Sequence, residues 1–344
     1  MKFSYAIGNP PYQEQKGGTK NVDIWPEFVK ESTKIADKSC MIHPGRWVIP
    51  TKARQNLHNE ILNANLKTFN YFPVSGKVFD NVSIDGGISI TLFDQNFTGD
   101  TTYFIDGENK GIYKDEDKFF SDNYEEEAYT KVFKHITTNM LDYVLGGIGA
   151  LSAVDLEQAK YLHDSADNLV NPIKIWTSKA SGKGNSKYEW YFIEKDQLKQ
   201  IDEKVFSTRK VMLDKKGHAI AHGKGNVINN IPQICDKNCT GDNVLWVFPS
   251  KIIDRQTEDR QTDRYLLLLK SLFMTKTARY LMCITQKSLC VRGFENIPDY
   301  IELAKLLPED ELFTDEWFYK TFDFSEGLIN EIETRVSPKV DKEA

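Results

Sequence analysis

Between Phe3 and Phe93 the chain alternates β-prone runs with stretches of helical spacing, and that alternation restricts the fold more than any other feature of its 344 residues. Phe3-Ser4-Tyr5-Ala6-Ile7-Gly8 is a short strand pattern. Ile24-Trp25-Pro26-Glu27-Phe28-Val29 opens an amphipathic helix running to about Ala36, and Met41-Ile42-His43-Pro44-Gly45-Arg46-Trp47 reads as a strand followed by a loop. Asn56 to Ala64 repeats the helical pattern. Leu66 to Phe72 and Gly87 to Phe93 read as strands, the second alternating cleanly in Ile88-Ser89-Ile90-Thr91-Leu92. Strand, helix, strand, helix, strand is the rhythm of half an α/β sheet with crossover helices, and a hairpin ending would place an antiparallel strand at its edge.

The length suggests two domains. A polar segment from about Thr98 to Tyr124 marks the boundary, giving a first domain over 1–110 and a mixed α+β second domain over 125–344. In the latter, Glu125 to Tyr143 reads as a helix, Ile173–Trp176, Tyr188–Ile193 and Val244–Phe248 as strands, and Leu266 to Cys283 as one long apolar helix. One or two amphipathic helices run from Asp315 to Val336. No stretch approaches eighteen apolar residues and no signal-peptide pattern opens the chain, so the expectation is a cytoplasmic protein without a membrane partner. The net charge of −6 hides an asymmetry: residues 174–224 hold twelve Lys/Arg against six Asp/Glu, whereas 308–344 hold four against eleven. A surface that meets phosphate and a merely solvated lysine-rich surface both fit that pattern. Five cysteines are scattered; Cys235 and Cys239 have zinc-like spacing but lack a second ligand pair, so thiols without metal are expected.

Asn9-Pro10-Pro11-Tyr12 follows the first strand directly. An amine conjugated to a ring or a carbonyl is a poor nucleophile because its lone pair is delocalised. An Asn side-chain oxygen and a neighbouring backbone carbonyl can accept both N–H hydrogens, localising the lone pair toward an electrophilic methyl group. Two prolines fix φ and remove two backbone donors, leaving carbonyls free on a rigid loop. Tyr12 offers a flat face for stacking. Such a site works by positioning and preorganisation. A plain Asn-Pro turn is the competing reading.

With these residues in view, the sequence resembles the adenine-specific DNA methyltransferases of restriction–modification systems, of the TaqI-like gamma class, and their bifunctional restriction–methylation relatives. The resemblance runs through Ile7-Gly8-Asn9-Pro10-Pro11-Tyr12-Gln13, the helix around Trp25-Pro26-Glu27-Phe28, and Met41 to Trp47. It continues through Phe72-Pro73 and Val78-Phe79-Asp80-Asn81-Val82-Ser83-Ile84-Asp85-Gly86-Gly87-Ile88. Lys276-Thr277-Ala278-Arg279-Tyr280-Leu281 and Thr314-Asp315-Glu316-Trp317-Phe318-Tyr319 look like the family's target-recognition regions. The resemblance implies a partial Rossmann-like methyltransferase sheet followed by a target-recognition domain. It also implies adenine-N6 methylation of double-stranded DNA, with S-adenosylmethionine as cofactor and no metal. Asn9, Pro10, Pro11 and Tyr12 match the catalytic loop, and Phe79 matches a second aromatic at the base, although a core Phe would look the same. Arg46 and Trp47 match a strand end near the cleft, with core packing the simpler account of Trp47. Lys276 and Arg279 match phosphate-contact positions, and solvated helix charge is the alternative for each. Lys183 and Lys224, in basic glycine-containing turns, are further DNA-contact candidates.

The family binds its cofactor through a strand, a glycine-rich turn and a helix upstream of the Asn-Pro-Pro-Tyr loop. Eight residues precede that loop, and Val144-Leu145-Gly146-Gly147-Ile148-Gly149 is a weak downstream substitute. The expectation is therefore a cofactor-binding half supplied by a partner polypeptide or a longer parent chain. A non-catalytic DNA-recognition subunit and a protein-glutamine methylase remain as alternatives.

Overall fold

The structure, a computed structural model, describes residues 2–15, 21–48, 55–80, 84, 86–113, 123–146, 160–177, 189–198, 206–214, 227–228, 231–241, 244–251, 259–285 and 297–339. The chain divides into two compact units after Glu125.

The first unit runs β1 (Phe3–Gly8), β2 (Gln13–Gln15), β3 (Asn21–Asp23), α1 (Trp25–Ile35), β4 (Ala36–Pro44), α2 (Gln55–Leu62), β5 (Leu66–Phe72), β6 (Ile88–Asp94), β7 (Thr102–Ile105) and β8 (Glu108–Ile112). Six strands make one mixed sheet in the order β1–β4–β6–β5–β7–β8. β1 and β4 are parallel and joined through α1, a crossover unit, while β6 enters antiparallel between β4 and β5. The expected α/β class therefore holds. α1 buries Trp25, Val29 and Ser32, one face at helical spacing, and α2 buries His58 and Ile61. These pack with Met41, Trp47, Phe69, Tyr71 and Phe93 in one core, each fully buried large apolar side chain contributing roughly 1.5–3 kcal/mol. Trp47 is a core residue, as its simpler account holds.

The polar stretch after Thr98, read as a boundary, contributes two strands to the first unit before the division after Glu125. β7 adds to β5 in parallel and β8 closes an antiparallel hairpin at the sheet edge. The two-residue turn Asp106-Gly107 has positive φ at both positions, +52° and +86°, the conformation whose twist suits a tight hairpin. At the other edge β1 pairs with β4 alone, and Phe3, Tyr5 and Ile7 on one of its faces are 63%, 65% and 82% exposed.

The second unit contains α3 (Asn123–Phe133, entered at the division), β9 (Val144–Gly146), β10 (Pro172–Thr177), β11 (Glu189–Glu194), β12 (Lys210–Asp214), β13 (Gln233–Cys235), β14 (Cys239–Gly241), β15 (Val244–Val247), α4 (Asp259–Met274), α5 (Lys276–Thr285), α6 (Tyr300–Ala304), α7 (Asp315–Thr321) and α8 (Glu326–Arg335). Its strands form a three-stranded sheet, β11–β10–β14, and a four-stranded one, β13–β12–β15–β9. A large core joins Val211, Leu213, Leu245 and Val247 to apolar side chains of α3 to α8. Val144–Gly146 is thus an antiparallel strand of a sheet; Gly147, Ile148 and Gly149 lie outside the described residues.

The single long helix expected over Leu266–Cys283 is two helices. Thr275 separates them: its hydroxyl bonds the Leu272 carbonyl at 2.7 Å and accepts from Ala278 N–H at 3.1 Å, capping α5. Asp315, distant in sequence, completes the cap by accepting from Lys276 N–H, Thr277 N–H and the Thr277 hydroxyl at 2.8–3.0 Å. The Lys-Thr-Ala-Arg and Thr-Asp-Glu-Trp motifs are therefore halves of one structural device. No helix among the described residues is long and apolar enough to cross a membrane.

Candidate active site

Asn9 to Tyr12 leave the C-terminal end of β1, the end at which open α/β sheets hold ligands. Asn9, Pro10, Pro11 and Tyr12 line a cleft of about 360 Å³ with Phe79 and Ile84. Asn9 is exposed, Pro10 and Tyr12 half-buried. Among the described residues, neither the Asn9 amide nor the Pro10 carbonyl is engaged in a hydrogen bond, so both acceptors stay available to a ligand. Tyr12 is held through its backbone: its carbonyl accepts from Ile24 N–H at 3.1 Å. Its hydroxyl is buried with no hydrogen-bond partner among the described residues, and burial raises its pKa. The ring face, not the hydroxyl, is what Tyr12 offers.

The opposite wall is carried by the loop between β5 and β6. Ser75 is fully buried at its root. The Ser75 carbonyl accepts from Val78 and Phe79 N–H at 3.0 and 2.9 Å, and its hydroxyl accepts from Ile84 N–H at 2.9 Å. Ile84 is fixed again through its carbonyl, which accepts from Gly87 N–H at 3.1 Å. One serine thus ties both apolar walls, Phe79 and Ile84, to the same point. Sequence reasoning found Phe79 and missed Ser75 and Ile84, because a serine in a loop carries no pattern. Gly87 has φ +70°, and a Cβ there would lie 2.2 Å from the Phe72 carbonyl oxygen. Gly45 N–H bonds Gly87 O at 2.9 Å, which locks the ends of β4 and β6 together beneath the loop.

The remaining expected site residues fall elsewhere. Arg46 does not line the cleft; its guanidinium lies 3.9 Å from the Asp23 carboxylate, which in turn accepts from Gln13 at 2.9 Å. It braces the β2–β3 hairpin that follows Tyr12, an ion pair worth under about 1 kcal/mol where solvent reaches it. Arg279 corrects the expectation of a phosphate contact. It is buried, and its guanidinium donates to the carbonyls of Thr275, Ser337 and Met274 at 3.1, 2.7 and 3.2 Å. Burial pulls its pKa down to about 10, leaving it a cation at neutral pH. Lys276 is likewise engaged, in an ion pair with Glu333. Lys183 and Lys224 lie outside the described residues. No group of three or more metal-ligating side chains occurs among the described residues.

Against known proteins, residues 1–79 match the model of the Eco57I restriction-modification methylase family. A protein of Mycoplasma pneumoniae described as an uncharacterized adenine-specific methylase is 33% identical over 108 residues, covering 29% of this chain and 26% of its own. The chain thus spans about a quarter of the length of that curated relative. Among solved structures, the type IIL restriction-modification enzyme MmeI in complex with DNA aligns over 95% of this chain and 57% of its own, at 9% identity and a TM-score of 0.42. A methyltransferase subunit of a type I restriction-modification system from Streptococcus thermophilus aligns over 33% and 29%, at 15% identity and a TM-score of 0.26. These superpositions are too loose to carry an argument of their own. The resemblance to restriction–modification methylases is borne out by the family match over residues 1–79, which include Asn9 to Tyr12 and Phe79, and the curated relative adds a likeness to an adenine-specific methylase.

Proposed function

We propose that this chain carries the amino-group-binding half of a DNA adenine-N6 methyltransferase of a restriction–modification system. The observation that carries this reading is the cleft itself: two unengaged acceptors, Asn9 and Pro10, converge with the aromatic rings of Tyr12 and Phe79. An adenine turned out of the duplex stacks on Tyr12 and is flanked by Phe79 and Ile84. Its exocyclic N–H groups donate to the Asn9 side-chain oxygen and the Pro10 carbonyl, which withdraws the lone pair from the ring and fixes its direction.

S-adenosylmethionine supplies the electrophilic methyl group when bound. Among the described residues of the first unit, none forms a strand–glycine-rich turn–helix unit to hold it, so the cofactor site is assigned to another polypeptide segment. Among the described strands β1 pairs with β4 alone, which supports this reading: its other side could take a further parallel strand, whose C-terminal end would arrive beside Asn9. Target recognition is assigned to the second unit, with Lys183 and Lys224 as backbone-contact candidates. Arg46, Lys276 and Arg279 are assigned structural roles instead.

The test is to co-produce the chain with the polypeptide encoded next to it, supply DNA and methyl-tritiated S-adenosylmethionine, and identify the labelled nucleoside. N6-methyladenine is expected, falling by about a hundredfold or more in Asn9→Ala. Label in protein or in cytosine, or full activity in Asn9→Ala, would overturn the reading. Sequence-specific DNA binding with no transfer would favour a recognition subunit.

A further inference from the structure

Cys235 and Cys239 lie at the ends of β13 and β14, strands of two different sheets separated by the turn Asp236-Lys237-Asn238. Both are buried free thiols, 5% and 4% exposed, packed in one cluster, with their S–H groups donating to the Gln233 and Asp236 carbonyls at 3.8 and 3.0 Å. Lys210 pairs directly with Cys235 in the β12–β13 ladder and is fully buried. Its ammonium donates to the Thr208 carbonyl at 3.1 Å, sits 5.0 Å over the Trp246 ring, and reaches Cys239. Met212, Val244, Trp246 and Phe248 pack around the group. Burial lowers the Lys210 pKa, and an anion at Cys239 or Cys235 opposes that, so the ammonium and a neighbouring thiolate favour one another.

We propose that Cys235, Cys239 and Lys210 form a peroxide-reactive dithiol that closes to a disulfide across the β13–β14 turn. Cys235 beside it and the Lys210 charge favour a Cys239 thiolate against the cost of burial and hold its pKa below that of an ordinary thiol, while Cys239 and then burial push Cys235 up. The Asp236 side opposes this. Its charge disfavours the thiolate, and its carbonyl accepts from the protonated Cys239 at 3.0 Å.

The Cys239 thiolate attacks one oxygen of hydrogen peroxide. The O–O bond breaks, and the departing hydroxide takes up a proton as water, leaving a sulfenic acid. Cys235 sulfur then attacks that sulfur; the S–S bond forms, the S–O bond breaks, and a second water leaves with the Cys235 proton. Two thiols are oxidised by two electrons and one peroxide is reduced to two waters. Near-complete burial admits a small neutral oxidant and disfavours a bulky disulfide such as oxidised glutathione. The new bond would fasten the β10 sheet to the β12 sheet.

The full chain is treated with one equivalent of hydrogen peroxide and peptide-mapped without reduction. Expected are a Cys235–Cys239 linkage with loss of two hydrogens in mass, reversal by dithiothreitol, and oxidation at least about tenfold faster than at Cys40, whose pKa burial raises. The wild-type rate should rise with pH with a midpoint below that of an ordinary thiol, about 8.5. Lys210→Met should slow it about tenfold; should that variant not fold, the wild-type midpoint decides alone. Prior reaction at Cys40 or Cys283, a midpoint above 8.5, or one zinc ion retained by the two thiols would each overturn the proposal.

Discussion

Acidification should loosen the first unit through a single side chain, His43. Its ring is fully buried and stacks on Trp25 with centroids 4.4 Å apart and planes 7° from parallel. Nδ1 lies 3.2 Å from the Pro44 carbonyl and Nε2 2.9 Å from the Thr91 hydroxyl. A neutral ring protonated on Nδ1, donating to Pro44 and accepting from Thr91, satisfies both contacts. A second proton would put a charge where no water solvates it. Desolvation accordingly lowers the pKa from 6.5 to about 4, against a smaller opposing effect of the Pro44 bond. As pH falls through 6.5 the unfolded chain takes up the proton and the folded chain does not. Stability is therefore whole above 6.5, declines down to about pH 4, and levels off below. At about 1.4 kcal/mol per unit, the full loss is about 3 kcal/mol, of which about 2 kcal/mol is gone at pH 5. The assay is urea unfolding at pH 7.5 and 5.0, wild type beside His43→Phe, which keeps the stacking and cannot titrate. The wild type should lose about 2 kcal/mol more between the two pH values than the variant does. Equal acid sensitivity in both proteins, or an NMR titration placing His43 above pH 6, would refute the reasoning.

Asp315→Ala removes three bonds from the start of α5 and should destabilise the second unit by about 2–3 kcal/mol in urea unfolding. Gly87→Ala drives a Cβ into the Phe72 carbonyl at a positive φ; a loss of about 3 kcal/mol or more is expected in the same assay. Tyr12→Phe removes a buried hydroxyl that has no hydrogen-bond partner among the described residues. It should bind DNA with 2-aminopurine at the target position as wild type does, by fluorescence, whereas Tyr12→Ala should lose about 1–3 kcal/mol of stacking.

The parts of the fold that alternate strongly were legible. β5 and β6 read as strands from their β-prone runs, although in β6 the fully buried positions include Ser89 and Thr91 while Ile90 and Leu92 are half-buried; α1 was legible because Trp25, Val29 and Ser32 fall on one stripe. β7 and β8 were not, because an edge hairpin faces water on most sides and Glu108 to Ile112 is largely exposed; the Asp-Gly turn was the available signal. The break at Thr275 was hidden because apolar residues continue on both sides, and half of the cap that makes it comes from Asp315, forty residues on. Arg279 misled for a related reason: a cation on a helix reads as exposed, yet Ala278, Tyr280 and Leu281 beside it are all buried. At the cleft, Asn9 to Tyr12 could be named from chemistry alone, while Ser75 and Ile84 emerge only once the β5–β6 loop is folded back on itself.

The two prolines carry a consequence for selectivity. Along Pro10 and Pro11 the backbone presents oxygen lone pairs and no hydrogens, so that rim is of one electrical sign toward whatever enters. Under the proposed function, a base edge that offers hydrogens would be drawn in, and one that offers a keto oxygen would meet lone pair with lone pair. The rim would then sort bases by polarity before size or stacking is tested, with proline rings holding the sign in place.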